Sequence, residues 1–266
     1  MKTLCELVKR GLVMVTISLI CTAAFAHSAQ AQSTPTIFQT TLEEPNQLTP
    51  EISTEQLQQI LVNGGEPILD VRSPLEYAIA HIPAAINIPE LEVAKIMELY
   101  PHGETKMILT CNGPFCGKSK RTSEQLVANG YVNVRRYQLG MPVWRALGNT
   151  VQTDLEGFAY IVRGDHTAIF VDARTPEEFK LKTVHCAVNI QAGEAVAAND
   201  DGRLPKWDKG TRVVVFANSA ENAKKVAAEV AKKAYWNSSY FSRSFTDLRR
   251  AHLLQSESER SCPGPQ

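Results

Sequence analysis

The sequence predicts an α/β protein made of two tandem copies of one unit of about a hundred residues, each with a parallel β-sheet flanked by helices. Two observations predict this class. The first is an internal repeat, in which a run of positions recurs 102 residues later without a gap. The second is that short apolar strands alternate with helical segments in both copies, as in parallel sheets that are covered on both faces.

The repeat is visible residue by residue. Its matching positions are Asp70, Arg72, Pro74, Glu76 and Tyr77 in one copy and Asp172, Arg174, Pro176, Glu178 and Phe179 in the other. The run Ala-Ile-Asn-Ile at 85–88 likewise recurs as Ala-Val-Asn-Ile at 187–190. Agreement of this extent indicates a duplication and therefore two domains.

Capping and apolar patterns predict the individual elements. The first copy opens with a helix that Ser53 or Thr54 caps and Gly64 ends. The other predicted elements are strands at 67–71, 107–110, 134–137, 213–216 and 240–241, and helices at 119–129, 143–147, 221–233 and 245–253. Open α/β sheets bind ligands at the carboxyl ends of their strands, and Cys111 directly follows the strand at 107–110.

Composition and charge narrow the possible functions. Hydrophobic residues make up 44% of the 266 residues and charged residues 21%, so the chain can bury a core. The 28 basic and 28 acidic side chains give no net charge, which argues against nucleic acid as a partner. His, Cys and carboxylate residues show no metal-ligand spacing, so neither a metal nor another cofactor is expected.

The first 31 residues differ in kind from the rest. A basic start with Lys9 and Arg10 is followed by an apolar run at 11–25, and Ala29 and Ala31 supply small residues at a cleavage position. This order is typical of a secretory signal peptide. Because the apolar run is shorter than the ~20 residues of a membrane-spanning helix, we expect cleavage, export to the periplasm and no membrane attachment afterwards.

The chain is therefore divided into five parts. They are a signal peptide (1–31), a polar N-terminal linker (32–51), a first domain (52–151), a second domain (158–254) and a polar tail (255–266). Ala217 stands in the second domain where Cys111 stands in the first, so we expect the second domain to have no nucleophile.

Three groups of residues in the first domain resemble the rhodanese family of sulfurtransferases. These groups are the residues 69–73, 76–77 and 81–89, the strand and loop from Cys111 to Ser119, and Gly140-Met141 with Trp144. They look like the family's first signature, its active-site signature and its closing motif. The resemblance covers 52–151 and, more weakly, 158–254, and it implies two tandem rhodanese-like domains.

The resemblance implies a sulfur-transfer reaction. A cysteine thiolate takes sulfur from a donor such as thiosulfate, becomes a persulfide, and passes the sulfur to a thiol or to cyanide. A cysteine at a strand end that faces a helix N-terminus has the lowered pKa this chemistry needs. The predicted binding residues for the anionic donor are Asn112, Gly113, Pro114, Phe115, Cys116, Gly117, Lys118 and Ser119. Lys120 and Arg121 lie at the loop exit, where they could hold the donor.

Two cysteines compete for the role of nucleophile. Cys111 directly follows the predicted strand, whereas Cys116 lies five residues further along the loop. In the second copy Ala217 directly follows the matching strand and so corresponds to Cys111. We therefore predict Cys111 as the catalytic residue.

Two alternatives stay open. Cys111 and Cys116 lie on one Gly-containing loop of an exported protein, so they could form a disulfide in a non-catalytic sulfur- or partner-binding module. Cys116 could also resolve an oxidised Cys111 in a redox switch. The loop is longer than the usual sulfurtransferase loop, which also allows a phosphatase- or arsenate-reductase-like enzyme, although Gly117 stands where such relatives carry Arg.

Several noticeable residues are expected to be structural. His81 is replaced by Thr183 in the second copy, so a hydrogen bond within the fold is favoured over a general-base role. Asp70 and Arg72 recur in the copy without a nucleophile, which favours an ion pair. Met141 and Trp144 are expected in the core, and Cys186 is expected to be a small buried residue.

Overall fold

The described part of the chain, residues 36–232 and 237–256 of a computed structural model, contains both copies of the repeat and belongs to one compact unit. The predicted signal peptide (1–31) and most of the predicted tail lie outside the described residues. Among the described helices, none combines the length and the apolar composition that crossing a membrane requires.

The first copy forms a four-stranded parallel sheet. Its elements are α1 (Thr54–Asn63), β1 (Ile68–Asp70), α2 (Pro74–Ile79), β2 (Ile86–Asn87), a 3-10 turn (Glu90–Glu92), α3 (Val93–Leu99), β3 (Met107–Thr110), α4 (Lys118–Ala128), β4 (Val134–Tyr137) and α5 (Gly140–Ala146). The strand order is β2-β1-β3-β4. Asp70 pairs with Thr110, and Thr110 with Tyr137, so three strands end side by side at one edge.

The second copy repeats this plan in a five-stranded parallel sheet. Its elements are β5 (Val151–Thr153), α6 (Leu155–Gly164), β6 (Ile169–Asp172), α7 (Pro176–Leu181), β7 (Thr183–Val184), β8 (Val188–Asn189), α8 (Ala195–Asp201), β9 (Val213–Phe216), α9 (Ala220–Lys232), β10 (Ser238–Phe241), α10 (Phe245–Arg250) and β11 (Leu254–Gln255). The strand order is β5-β10-β9-β6-β8, and β11 pairs antiparallel with β7. The α/β prediction of two domains with parallel sheets is confirmed.

Local capping explains where three helices begin. Ser53 accepts a hydrogen bond from the Gln56 backbone N–H, and the Gln56 side chain accepts one from the Ser53 N–H. Ser73 before α2 and Thr175 before α7 form the same reciprocal capping box, each with Pro at the first helical position. The predicted start of α1 is confirmed, with Ser53 as the cap.

Alternation along the strands buries both faces of each sheet. In β3, Met107 and Leu109 belong to one apolar cluster and Ile108 to the cluster on the opposite face. Cys111, directly after β3, lies in the same cluster as Met107 and Leu109 and is 2% exposed. The first domain therefore holds Cys111 in a buried, packed position.

Two segments differ from their predicted assignment. In the predicted linker, Glu44 and Glu51 lie 3.0 and 3.7 Å from the buried guanidinium of Arg136, so this stretch is packed onto the first domain. Val151, predicted as the last residue of the first domain, begins β5 of the second sheet, while its side chain is buried in the first domain's core. Both contacts join residues far apart in the sequence.

The two domains pack closely where α6 crosses α2. Gly157 of α6 faces Ala78 of α2, and a Cβ atom at position 157 would lie 2.0 Å from the Ala78 carbonyl oxygen. The Asp154 N–H donates to the same carbonyl oxygen at 2.8 Å. The close approach therefore requires a residue without a side chain.

We expect Gly157→Ala to lower the free energy of unfolding by about 1–3 kcal/mol, because the methyl group would force α6 away from α2. Urea titration measures the effect. Gly164→Ala in the same helix is the matched control, since a Cβ there meets nothing within 4 Å. Equal stability of the two variants would contradict this packing.

Candidate active site

Cys111 lies at the carboxyl edge of the first sheet, between β3 and the N-terminus of α4. The Thr110 carbonyl before it accepts a hydrogen bond from the Val71 N–H at 3.1 Å, which fixes the strand end. Helix α4 spans 11 residues and begins at Lys118 after Gly117, without a side-chain cap. Its first N–H groups therefore remain available to an anion or a thiolate.

The strand register identifies the counterpart of Cys111. Asp70 pairs with Thr110 in the first sheet as Asp172 pairs with Phe216 in the second, so Ala217 occupies the Cys111 position. Helix α9 begins at Ala220, three residues after Ala217, whereas α4 begins seven residues after Cys111. The loop that carries Cys116 is therefore an extension found in the first copy alone, among the described residues.

In the second domain, the space beside Ala217, the counterpart of Cys111, is filled by side chains. The Arg174 guanidinium carbon lies 3.3 Å from the centre of the Phe245 ring, and the Phe245 N–H donates to the Ala217 carbonyl. Ala217 is 1% exposed and packs in the core. In the described second domain, Ala217 and the Phe245 ring therefore occupy this edge of the sheet.

Cys111 and Cys116 are joined by a disulfide, with their Cα atoms 6.5 Å apart. A tight turn brings them together: the Cys116 N–H donates to the Gly113 carbonyl at 2.9 Å, and Pro114 presets the turn. In this oxidised form the Cys116 carbonyl oxygen lies 3.4 Å from the Cys111 sulfur. The anion-binding role of the loop N–H groups therefore stays a prediction for the reduced loop.

The side-chain amide of Gln138 holds the loop that runs from Cys111 to Lys118. Its amide oxygen accepts hydrogen bonds from the Arg136 guanidinium at 2.7 Å and from the Ser119 hydroxyl at 2.9 Å. Because guanidinium can only donate, the amide nitrogen must point to the other side. That nitrogen donates to the carbonyls of Pro114 and Cys116, both at 3.2 Å.

Glu76 anchors the two ends of the loop. Its carboxylate accepts hydrogen bonds from the Asn112 amide and, at 3.2 Å, from the Lys118 ammonium. Partial burial raises the pKa of Glu76, but the hydrogen bonds from Asn112, Ser73 and Lys118 outweigh it and lower the pKa from 4.5 to about 2. In the second copy, Asn218 donates to Glu178 in the same way.

The predicted binding residues are thus brought together, but their side chains differ in placement. Gly113 is buried and Ser119 lies with its hydroxyl 3.8 Å from the Cys111 sulfur, whereas the Phe115 side chain is fully exposed at the loop tip. Lys118 is already paired with Glu76, and Arg121 with Glu90 at 3.0 Å. An anionic donor would have to share these two cations with carboxylates.

The expectations for structural residues hold in three cases out of four. Asp70 and Arg72 form a buried ion pair at 2.6 Å, and Met141 and Trp144 are each 4% exposed. His81 is fully buried, stacks on Tyr77, and has one ring nitrogen 2.8 Å from the Tyr77 carbonyl oxygen.

Burial lowers the pKa of His81, so its ring is neutral near pH 7 and is held by the fold. The prediction that Cys186 is a buried apolar residue is wrong. It is half-exposed, has a positive φ of 52°, and is disulfide-bonded.

The sequence pattern does not predict the contacts that two residues make with the loop. Gln138 is polar and directly follows β4, the neighbour of β3, and this position is a usable signal. Glu76 is a repeated position, but its contacts with the loop are made to residues 36 and 42 positions away. Within residues 36–232 and 237–256, no cluster of three His, Cys, Asp or Glu side chains could hold a metal ion.

The family model described as "Rhodanese-like domain" matches this chain twice, at residues 53–147 and 161–251. The chain belongs to the rhodanese-like family. The first matched segment contains the whole first sheet and the second contains every strand of the second sheet except β5, so the chain has two rhodanese-like domains.

Individual relatives match parts of the chain. A helix-turn-helix-type transcriptional regulator of Mycobacterium tuberculosis is 34% identical over 86 residues, which are 32% of this chain and 37% of that protein. A thiosulfate sulfurtransferase from Pseudomonas aeruginosa is 18% identical, with 77% of this chain and 43% of that chain covered and a TM-score of 0.34.

A human single-domain sulfurtransferase is 27% identical, with 36% of this chain and 95% of that chain covered and a TM-score of 0.32. This rhodanese-like chain thus spans about two fifths of the length of the regulator and of the Pseudomonas enzyme.

We expect Gly140→Ala to disturb the cysteine loop of the first rhodanese-like domain. Gly140 has φ 61°, and a Cβ there would lie 2.5 Å from the Gly113 Cα and 2.7 Å from the Cys111 carbonyl oxygen. Gly148→Ala is the matched control, since φ is 79° and a Cβ meets nothing within 4 Å. Both variants incur roughly 1–2 kcal/mol for the left-handed backbone, and Gly140→Ala should lose about 1–3 kcal/mol more in chemical unfolding.

We expect Glu76→Gln to remove a pH-dependent part of the stability. Because the folded pKa of Glu76 is about 2 and its ordinary value is 4.5, the contribution is complete above pH 4.5 and is lost as the pH falls toward 2. Urea titrations from pH 7 down to pH 3 should show the difference between wild type and variant shrinking. A constant difference over this range would contradict the assignment.

Proposed function

We propose that the first rhodanese-like domain is a sulfurtransferase that carries sulfane sulfur as a persulfide on Cys111. The observation that carries the proposal is the position of Cys111, at a strand end and before an uncapped helix N-terminus, in a chain whose second copy has Ala217 there. The second domain then has a structural role, since its α6 supports α2 of the first.

The chemistry needs three things of the residues around Cys111. Its thiol must ionise, which the N-terminal end of α4 favours. The thiolate then attacks the outer sulfur of a donor such as thiosulfate, so that a sulfur–sulfur bond forms to Cys111 and sulfite leaves. A thiol or cyanide finally takes the outer sulfur and regenerates the thiolate. Lys118 and the loop N–H groups would bind the anionic donor.

We further propose that this reaction takes place in the periplasm after removal of residues 1–31. The support is the basic, apolar and small-residue order of that segment. An oxidising compartment also agrees with disulfides at Cys111, Cys116 and Cys186.

One observation favours a second candidate. The Cys111–Cys116 disulfide blocks the nucleophile, and Gln138 holds the oxidised loop through two hydrogen bonds. A non-catalytic module that binds a partner would need only this oxidised loop and no free thiolate at Cys111.

The decisive experiment measures sulfite after thiosulfate is added to fully reduced protein. Wild type and Cys116→Ala should each release about one sulfite per protein, because attack by the Cys111 thiolate expels sulfite in the first step. Cys111→Ala should release none. In Cys116→Ala, intact mass should rise by one sulfur atom.

Absence of sulfite from both wild type and Cys116→Ala would support the non-catalytic module instead. Sulfite from Cys111→Ala would remove Cys111 from the mechanism.

A further inference from the structure

We propose that Cys116 is a second catalytic residue, which discharges the Cys111 persulfide by forming the Cys111–Cys116 disulfide and releasing sulfide. A dithiol then reduces this disulfide and starts the next cycle. This inference rests on the proposed function and names its final acceptor: the sulfur leaves as sulfide, and the electrons come from a dithiol.

The loop is built to bring these two sulfurs together. The turn from Gly113 to Cys116 returns the chain toward β3, and the disulfide shows that the two sulfurs reach bonding contact. Gln138 holds the carbonyls on both sides of Phe115 from a buried position. A thiol fixed this close to the persulfide reacts as part of the same molecule, which favours it over free acceptors in solution.

The comparison of the two copies is independent support. The loop between β3 and α4 is longer than the loop between β9 and α9, and its extra residues include Cys116. The longer loop is in the domain that has Cys111. In the second domain, which has Ala217, the helix follows almost at once. The extension and the nucleophile thus occur together within the described chain.

The discharge step balances in atoms and electrons. The Cys116 thiolate attacks the inner sulfur of the persulfide, which is the Cys111 Sγ atom. The bond between the Cys111 Sγ atom and the outer sulfur breaks. The outer sulfur takes up the proton that Cys116 gave up on ionising and leaves as hydrosulfide. The two cysteines lose two electrons in forming the disulfide, and the sulfane sulfur gains them.

The difference in exposure predicts how the dithiol acts. Cys111 is 2% exposed, whereas Cys116 is half-buried beside the fully exposed Phe115, so the incoming thiolate reaches the Cys116 sulfur first. Cys111 then leaves as the thiolate, which is the better leaving group because the α4 N-terminus stabilises it. The second thiol of the dithiol resolves the mixed disulfide on Cys116. In sum, thiosulfate and a dithiol become sulfite, sulfide and a disulfide.

The test is a single turnover without free thiol. Wild type, Cys116→Ser and the control Val132→Ser are reduced, desalted under argon and given one equivalent of thiosulfate. Val132 is exposed and precedes β4 at the opposite edge of the same sheet. Sulfite and bimane-trapped sulfide are measured, and the tryptic peptide 107–118, which contains both loop cysteines, is weighed without reduction.

We expect wild type and Val132→Ser to release about one sulfide per sulfite and to leave the peptide lighter by two hydrogens. Cys116→Ser should release sulfite but no sulfide, and its peptide should be heavier by one sulfur. A wild type that keeps the sulfur adduct, or a Cys116→Ser that releases sulfide as fast as wild type, would overturn the role of Cys116 alone. Loss of sulfite in all three proteins would overturn the proposed function itself.

Discussion

A buried ion pair at the end of β1 in the first sheet and of β6 in the second organises the carboxyl edge of each sheet. Arg72 donates to both carboxylate oxygens of Asp70 and also to the Ala80 carbonyl, which ties the strand end to the far end of α2. It reaches the loop as well, through Asn112 at 3.3 Å. Removal of either partner would leave a buried charge uncompensated, which typically costs several kcal/mol.

The second domain repeats this ion pair, but different side chains surround it. Arg174 pairs with Asp172 and reaches the Lys182 carbonyl, as Arg72 reaches Ala80. The Phe245 ring, however, covers one face of the Arg174 guanidinium. The ion pair therefore occurs in both copies, whereas Cys111 and the loop extension occur, among the described residues, in the first copy alone. The shared ion pair belongs to the fold, and the two features of the first copy belong to the proposed chemistry.

The loop from Cys111 to Lys118 has to meet two requirements that conflict: access to the nucleophile and a fixed position. A nucleophile needs access and N–H groups directed at its sulfur, whereas the oxidised loop places the Cys116 carbonyl there and buries Cys111. Hydrogen bonds from Gln138 and to Glu76 hold the loop at its middle and at its ends. Because these contacts do not involve the sulfur atoms, we expect reduction of the disulfide to change access to Cys111 without unfolding the domain.

The sequence alone determined the features that depend on neighbours along the chain. Strands β3, β4 and β9 have the bounds predicted from their apolar runs, and the capping box at Ser53 begins α1 as expected. The duplication was equally visible, because equal spacing needs no tertiary information. These signals are local, since strand burial and helix capping act within a few residues.

Only the tertiary structure decided the contacts that join distant positions. Three such contacts are the ion pair of Glu44 with Arg136, the pairing of β5 with the second sheet, and the hydrogen bonds of Gln138 to the loop. The disulfide depends on both kinds of information. The sequence allowed it as one alternative, and the turn at Pro114, which brings Cys116 back to the strand end, made it possible in the structure. A contact between residues far apart in the chain is set by the packing of whole elements, which no local pattern contains.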